Sequence, residues 1–350
     1  MRAVVTVGVG SMQLLERPDP PPPGPGEVMI RPEAVGICGS DYSFFGGHMS
    51  QAAGGSRFPR IQGHEFAGVI TRLGPDCRAG LEAGQRVAVW PVHGCGACYA
   101  CCAGRLNACE NLALAGIHRD GGLQERLVIG QEHVFPIAEE DPAVAALTEP
   151  VSIAVRAVNR AAVRSGEHAV VLGAGPIGQC ICLVASERGA QVLAVDLQER
   201  RLELIREMGA CQTLRWTTAG EVVAAAREWA GPAGPPVVFE ATGAATATEA
   251  MVAMAPSAGR AVQVGMSGEV AEIRVGILPE KELDLLGVSC AAAEEFGEAV
   301  AVVERQRDLL AGLISHTYGQ EQAPEAIGFA MSNPAEAMKV VIRNDHRGAP

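Results

Sequence analysis

Five cysteines fall within the fifteen residues 95–109, and four of them, at positions 95, 98, 101 and 109, are spaced for chemistry. A C-x-x-C step lets the chain turn back and bring two sulfurs within about 4 Å of each other. Two such steps share Cys98, and Cys109 closes the set after the loop at Gly104. Four thiolates at tetrahedral corners make a closed, structural zinc site. The alternatives are a disulfide framework or plain buried thiols, and the spacing favours the metal. Cys102 breaks the rhythm and is read as a bystander.

A second chemical signal is Gly173-Ala174-Gly175-Pro176-Ile177-Gly178, between an apolar strand and a helix. Gly173 permits the tight turn, Gly175 a close backbone approach to a pyrophosphate, and Gly178 close helix–strand packing. The pyrophosphate would rest on the helix N-terminus, where free N–H groups and the dipole favour negative charge. Asp196 lies 18 residues after Gly178, at the end of the next strand, placed to accept the adenosine ribose hydroxyls. A carboxylate there favours NAD over NADP, although Arg200 and Arg201 stand close enough to lean over the ribose.

Cys38 and His64 are isolated, and each alone would be a core residue. Two neighbours change that. His64 is followed by Glu65, a carboxylate able to ligate an ion or support a ligand. Cys38 sits in Gly36-Ile37-Cys38-Gly39-Ser40-Asp41, a turn that presents a thiolate and a hydroxyl together. One Cys, one His and one carboxylate leave a coordination position open, as a catalytic zinc requires.

The chain that must position these groups has 350 residues, of which 48% are apolar, and a net charge of −12. That length suits two domains. An acidic chain without a basic run, with 4% aromatic residues, argues against nucleic acid or an anionic membrane as partner. Eleven cysteines, an odd number, a strand-like start and no apolar run of eighteen residues point to a reducing cytoplasm as the setting.

Residues 1–17 read as a hairpin turning at Gly8 and Gly10, and 18–26 as a stiff proline-rich connector. The segment 51–56 reads as a mobile loop. To about residue 140 the pattern is short strands and glycine-rich turns, a barrel-like β domain. Residues 142–162 show helical spacing interrupted at Glu149-Pro150. Beyond 167, strands at 169–172, 191–195, 237–240, 261–264 and 285–288 alternate with helices, the sign of a parallel α/β sheet. The tail from 294 reads as helix, strand, helix and a final strand at 338–342.

With Gly121-Gly122 and Glu149-Pro150 added, these motifs closely resemble those of zinc-dependent medium-chain dehydrogenases, over nearly the full length. The resemblance implies a GroES-like catalytic domain formed by 1–152 and 291–350, and a Rossmann NAD-binding domain over 153–290. It implies two zinc ions per chain. The structural ion would be held by Cys95, Cys98, Cys101 and Cys109. The catalytic ion would be held by Cys38 and His64, with Glu65 as a ligand or near neighbour. Glu149 takes the position that separates branches: Glu-Pro there marks the polyol and sugar-acid branch typified by sorbitol dehydrogenase. The implied reaction is oxidation of a secondary alcohol to a ketone, with hydride passing to NAD.

One departure is Ser43, where many members carry a relay histidine, so the proton route would use Ser40 and water, or His48. Specificity would lie with the 42–58 loop, His118 and residues 290–296. The resemblance also implies a dimer or tetramer, with 285–288 as a pairing edge. Two rivals are a zinc-free quinone reductase relative, against which the intact ligand set argues, and a zinc- and NAD-binding sensor without turnover, which carries the same residues.

Overall fold

The computed structural model describes residues 1–49, 55–266 and 268–344; the loop expected at 51–56 lies largely outside them. The chain divides into two compact units, Met1–Glu149 with Ala291–Pro350, and Pro150–Cys290.

The first unit is built on the long strand Glu27–Ile37. It pairs antiparallel with Glu65–Leu73 on one side and with Lys339–Arg343 on the other. Arg86–Val89 and Val134–Pro136 extend the sheet one way, and Ile314–Gly319 the other. Leu127–Gly130 pairs with the early half of the long strand. The hairpin of Arg2–Gly8 and Ser11–Glu16 belongs to a separate three-stranded sheet. Val28, Ile30, Val35, Phe66, Ile70, Val87, Leu123 and Ile342 are buried together and form its core. Among the described residues the strands follow open paths and close no ring.

Register decides what meets at one end of this sheet. Gly36 stands opposite Glu65, and Ile37 opposite Val340. Cys38 therefore leaves the central strand where Glu65 begins one neighbour and Lys339 begins the other. A Cβ on Gly36 would lie 2.3 Å from Glu65 Oε2, so only glycine lets the carboxylate approach so closely.

The second unit is a six-stranded parallel sheet in the order Gln212–Arg215, Gln191–Asp196, His168–Leu172, Val237–Glu240, Arg260–Gln263, Asp284–Gly287. Counting from His168–Leu172, this is the 3-2-1-4-5-6 order of a dinucleotide-binding fold, with its switch point between the first and fourth strands. Its central strands, Gln191–Asp196, His168–Leu172 and Val237–Glu240, are apolar runs that are largely buried, as a parallel sheet covered by helices demands, while the two edge strands are largely exposed or half-buried.

The helical stretch near residue 150 differs from expectation. The break falls between Pro142–Ala146 and Thr148–Arg160, not at Glu149-Pro150. Pro150 lies in the first turn of the second helix, where its missing N–H removes no helical bond. No helix among the described residues is long and apolar enough to cross a membrane.

Candidate metal centres and dinucleotide loop

The four clustered cysteines converge: their sulfurs all lie within 4.8 Å of one another. None of the eleven cysteines is joined in a disulfide, and the sulfurs of Cys98 and Cys109 stand 3.8 Å apart, far beyond a disulfide bond. Backbone N–H groups of Cys95 and Asn111 point at the Cys109 sulfur, and that of Cys98 at Cys95. Hydrogen bonds from the Ala97 and Cys98 backbone push the Cys95 thiol down to about 6, whereas burial pushes Cys101 up to about 12. Donors aimed at sulfur favour thiolate, the form a metal takes. This donor set fits zinc in a closed site. Cys102 turns its sulfur to the Ala97 carbonyl and stays outside the group.

The second group is Cys38, His64 and Glu65, whose ligating atoms also lie within 4.8 Å of one another. Cys38 caps the helix Gly39–Phe45. Asp41, fully buried in that helix, accepts from the Cys38 backbone N–H at 3.0 Å and from Gln62 Nε2 at 3.1 Å. Its Oδ2 lies 3.6 Å from His64 Nδ1. Burial disfavours the imidazolium, but the Asp41 charge and the Cys38 side chain outweigh it and raise the His64 pKa. Burial raises the Asp41 pKa. At 3.6 Å the Asp41 carboxylate faces Nδ1 as a charge without a hydrogen bond, and the other ring nitrogen is left for the ligand site. That nitrogen, Nε2, lies 3.4 Å from Ser40 Oγ. Glycine loops brace the turn before His64: Gly121 N donates to Ile61 O and Gly122 N to Gly63 O, at 2.8 and 2.9 Å. A Cβ on Gly121 would sit 2.2 Å from Gly63 O.

Glu65 is not free to swing. Lys339 Nζ donates to its two oxygens at 2.8 and 2.6 Å, and to Ile37 O at 3.3 Å. Burial opposes the ammonium, yet attraction to Glu65 and Cys38 prevails and raises the Lys339 pKa. Glu149, in the first turn of Thr148–Arg160, lies outside the three-residue group. Burial first, then the Glu65 charge, push it up to about 7, while His64 pulls it down. The soft thiolate, imidazole and buried carboxylates suit zinc.

Ser43 Oγ is committed to the Gly39 carbonyl at 3.3 Å, and His48 is exposed. His118 Nδ1 accepts from Leu114 N at 3.0 Å and so shapes its own loop. A cavity of about 370 Å³ lined by His93, Arg119 and His133 contains none of the candidate ligands and is not the reaction site. Sequence reasoning missed Lys339 altogether, and took Asp41 only as part of a turn.

In the second unit, Gly173 has φ +97°, and a Cβ on Gly178 would lie 1.8 Å from Gly173 O. Both positions require glycine. Gly175 is the N-cap of Pro176–Glu187 and Pro176 and Ile177 open its first turn; a Cβ at 175 would meet only Arg201 Nη1, at 3.9 Å. The loop is thus a shallow cradle of backbone N–H groups open above Gly175, which suits a pyrophosphate. Asp196 Oδ2 accepts from Ala174 N at 2.7 Å and Oδ1 from Gln198 N at 2.8 Å. Its remaining lone pairs suit ribose hydroxyls. Arg201 Nη1 lies 3.9 Å from Asp196 Oδ2.

Comparison with known proteins matches residues 24–139 to the alcohol dehydrogenase GroES-like domain and 176–305 to the zinc-binding dehydrogenase domain. The chain is 33% identical to L-galactonate-5-dehydrogenase of Escherichia coli K12, over 92% of this chain and 93% of that protein. It superimposes on an alcohol dehydrogenase of Escherichia coli CFT073 complexed with cofactor NADH, with TM-score 0.86 and 30% identity, covering 98% and 99% of the two chains. A zinc-binding dehydrogenase from Sinorhizobium meliloti 1021 bound to NADP matches with TM-score 0.86 and 31% identity, covering 98% of each.

Proposed function

The chain belongs to the zinc-dependent alcohol dehydrogenase family, and we propose that within it this protein oxidises a secondary alcohol of a polyol or sugar acid to the ketone, with hydride passing to NAD. The observation that carries this reading is the buried convergence of Cys38, His64 and Glu65, with Glu149 close by. The substrate class rests on the similarity to L-galactonate-5-dehydrogenase and on the Glu149-Pro150 pair.

Zinc bound by Cys38, His64 and a carboxylate of Glu65 or Glu149 supplies Lewis acidity that makes a hydroxyl a better proton donor. The protein's own groups do the rest. Asp41 sets a negative charge behind the His64 ring. Lys339 balances the Glu65 charge, so that the site does not accumulate three unpaired anions. Ser40 Oγ, beside His64 Nε2, receives the hydroxyl proton and hands it to solvent. Ser43 is committed to a backbone carbonyl, which leaves Ser40 to begin the relay. The cradle at Gly173, Gly175, Pro176, Ile177 and Gly178 holds the pyrophosphate, and Asp196 selects NAD by opposing a 2′-phosphate. Cys95, Cys98, Cys101 and Cys109 hold the second, structural zinc.

We further propose that the protein works as a cytoplasmic homo-oligomer, paired along the sheet-edge strand Asp284–Gly287, where Leu285 is exposed.

The test is zinc analysis followed by absorbance at 340 nm with NAD and a panel of polyols and aldonates. Two zincs per chain, and turnover that His64→Ala abolishes while NADH still binds, are the expected results. Two zincs with no turnover on any alcohol would identify a sensor instead.

A further inference from the structure

Glu240 ends the strand Val237–Glu240 and is wholly buried. Donors from the loop that follows it and from the end of the next strand converge on its carboxylate. Thr242 N gives to Oε1 at 2.7 Å, and the Thr242 hydroxyl gives to the same oxygen. Gly243 N lies 3.0 Å from both oxygens, and Gln263 Nε2 gives to Oε2 at 2.7 Å. Gln263 also gives to Gly265 O at 2.8 Å and takes the Thr248 hydroxyl at 3.1 Å. The Glu240 backbone carbonyl accepts from Val264 N and Gly265 N, each at 2.9 Å.

One residue thereby interlocks the loops that follow two adjacent strands. The packing leaves no slack. A Cβ on Gly265 would lie 2.2 Å from Gly243 N and 2.6 Å from Glu240 Oε2. The 241–243 loop in turn rests on the nucleotide cradle: Ala241 N gives to Leu172 O at 2.8 Å, and a Cβ on Gly173 would lie 2.6 Å from the Thr242 methyl.

The sheet order says what such a platform is for. Ligands of open parallel sheets lie across the carboxyl ends of the strands at the switch point. With the pyrophosphate at Gly175, Asp196 marks the side that takes the adenosine half. The other half must extend the opposite way, over the ends of Val237–Glu240 and Arg260–Gln263. Those are the loops that Glu240 ties together.

We propose that Glu240 is a positioning residue for the nicotinamide half of the cofactor, acting through Thr242, Gly243 and Gln263. It rests on the NAD-dependent reading above. Glu240→Gln replaces one acceptor oxygen by a donor facing donors, so the side-chain tie between the two loops is broken while the backbone bonds from Val264 and Gly265, the cradle and Asp196 remain.

The experiment titrates wild type and Glu240→Gln with NADH and with ADP-ribose, which lacks the nicotinamide. NADH affinity should fall about tenfold or more, the worth of one charge-assisted hydrogen bond, while ADP-ribose affinity changes less than about threefold. If Glu240→Gln does not fold, Thr242→Val removes a single hydroxyl and should reproduce the same split, with about a threefold loss for NADH. Equal weakening of both ligands would show a general structural role and overturn the proposal, as would no change in either. A wild-type protein that binds neither ligand would instead remove the reading on which the proposal stands.

Discussion

Replacing Lys339 by methionine keeps the length of the side-chain stem and removes its charge. Lys339 and Glu65 are 3% and 1% exposed, and two contacts of 2.6 and 2.8 Å join them. Water cannot reach the carboxylate left behind. Breaking a buried pair from one side costs about 3–5 kcal/mol, because the remaining charge is desolvated and uncompensated. For a 350-residue chain, at about 2.1 cal/mol/K of unfolding entropy per residue, each kcal/mol moves the melting temperature by about 1.4 °C, so metal-free Lys339→Met should melt roughly 4–7 °C below wild type. Glu65 belongs to the group with Cys38 and His64, so bound zinc returns a positive charge to the orphaned carboxylate. Zinc should therefore raise the melting temperature of Lys339→Met by more than it raises that of wild type. The double variant Lys339→Met/Glu65→Gln, which buries no charge, should regain most of the loss in the metal-free protein. Differential scanning calorimetry with and without chelator reads all of these. A metal-free Lys339→Met melting within about 2 °C of wild type would show that the pair does not hold this end of the sheet, and the reasoning would fail.

Two further outcomes are expected. Cys98→Ser opens the four-sulfur group: zinc content should fall from two to one per chain and the melting temperature should drop, while kcat per folded, zinc-loaded catalytic site stays near wild type. Metal analysis with active-site-normalised kinetics checks this, and a fully stable but inactive variant would mean that the roles of the two sites are reversed. His93 offers a pH test. Burial, then His133 and Arg119, lower its pKa from 6.5 to about 3. The unfolded chain takes up this proton first, so the contribution of neutral His93 is complete above pH 6.5 and drains away as pH falls toward 3. His93→Phe should flatten the decline of the urea midpoint between pH 7.5 and 5; curves parallel to wild type would refute the assignment.

What the sequence shows of this molecule depends on how far apart the interacting residues lie. The nucleotide cradle is a local object. Its tight turn at Gly173, its open N-terminus at Gly175 and its close packing at Gly178 all arise within six residues, so the spacing alone carries the geometry. The four-cysteine lobe is local in the same way. The strand Gln212–Arg215 escaped notice because it is short and mostly polar, and only its parallel pairing with Leu193–Asp196 makes it part of the sheet. Pro150 misled for a related reason: proline breaks a helix interior but not a first turn, and residue type does not say which position it occupies.

The group of Cys38, His64 and Glu65, a candidate metal site, lies at the other extreme. Cys38, His64 and Glu65 become one site because antiparallel pairing sets Gly36 against Glu65, and Lys339 joins from 274 residues away through the opposite edge of the same strand. No periodicity reports such an encounter. One signal was nevertheless present in Met338-Lys339-Val340-Val341-Ile342. A lysine at the start of an apolar run that is buried on both faces must have an anion waiting for it. Glu65 likewise begins an apolar strand and needs a cation. Two buried strands that pair with the same central strand, each carrying one unmatched charge of opposite sign at the same end, imply the contact before any coordinates are seen. Charge conservation across buried strand ends is thus a constraint on topology, and here it selects the arrangement that places the balanced carboxylate beside the thiol and the imidazole.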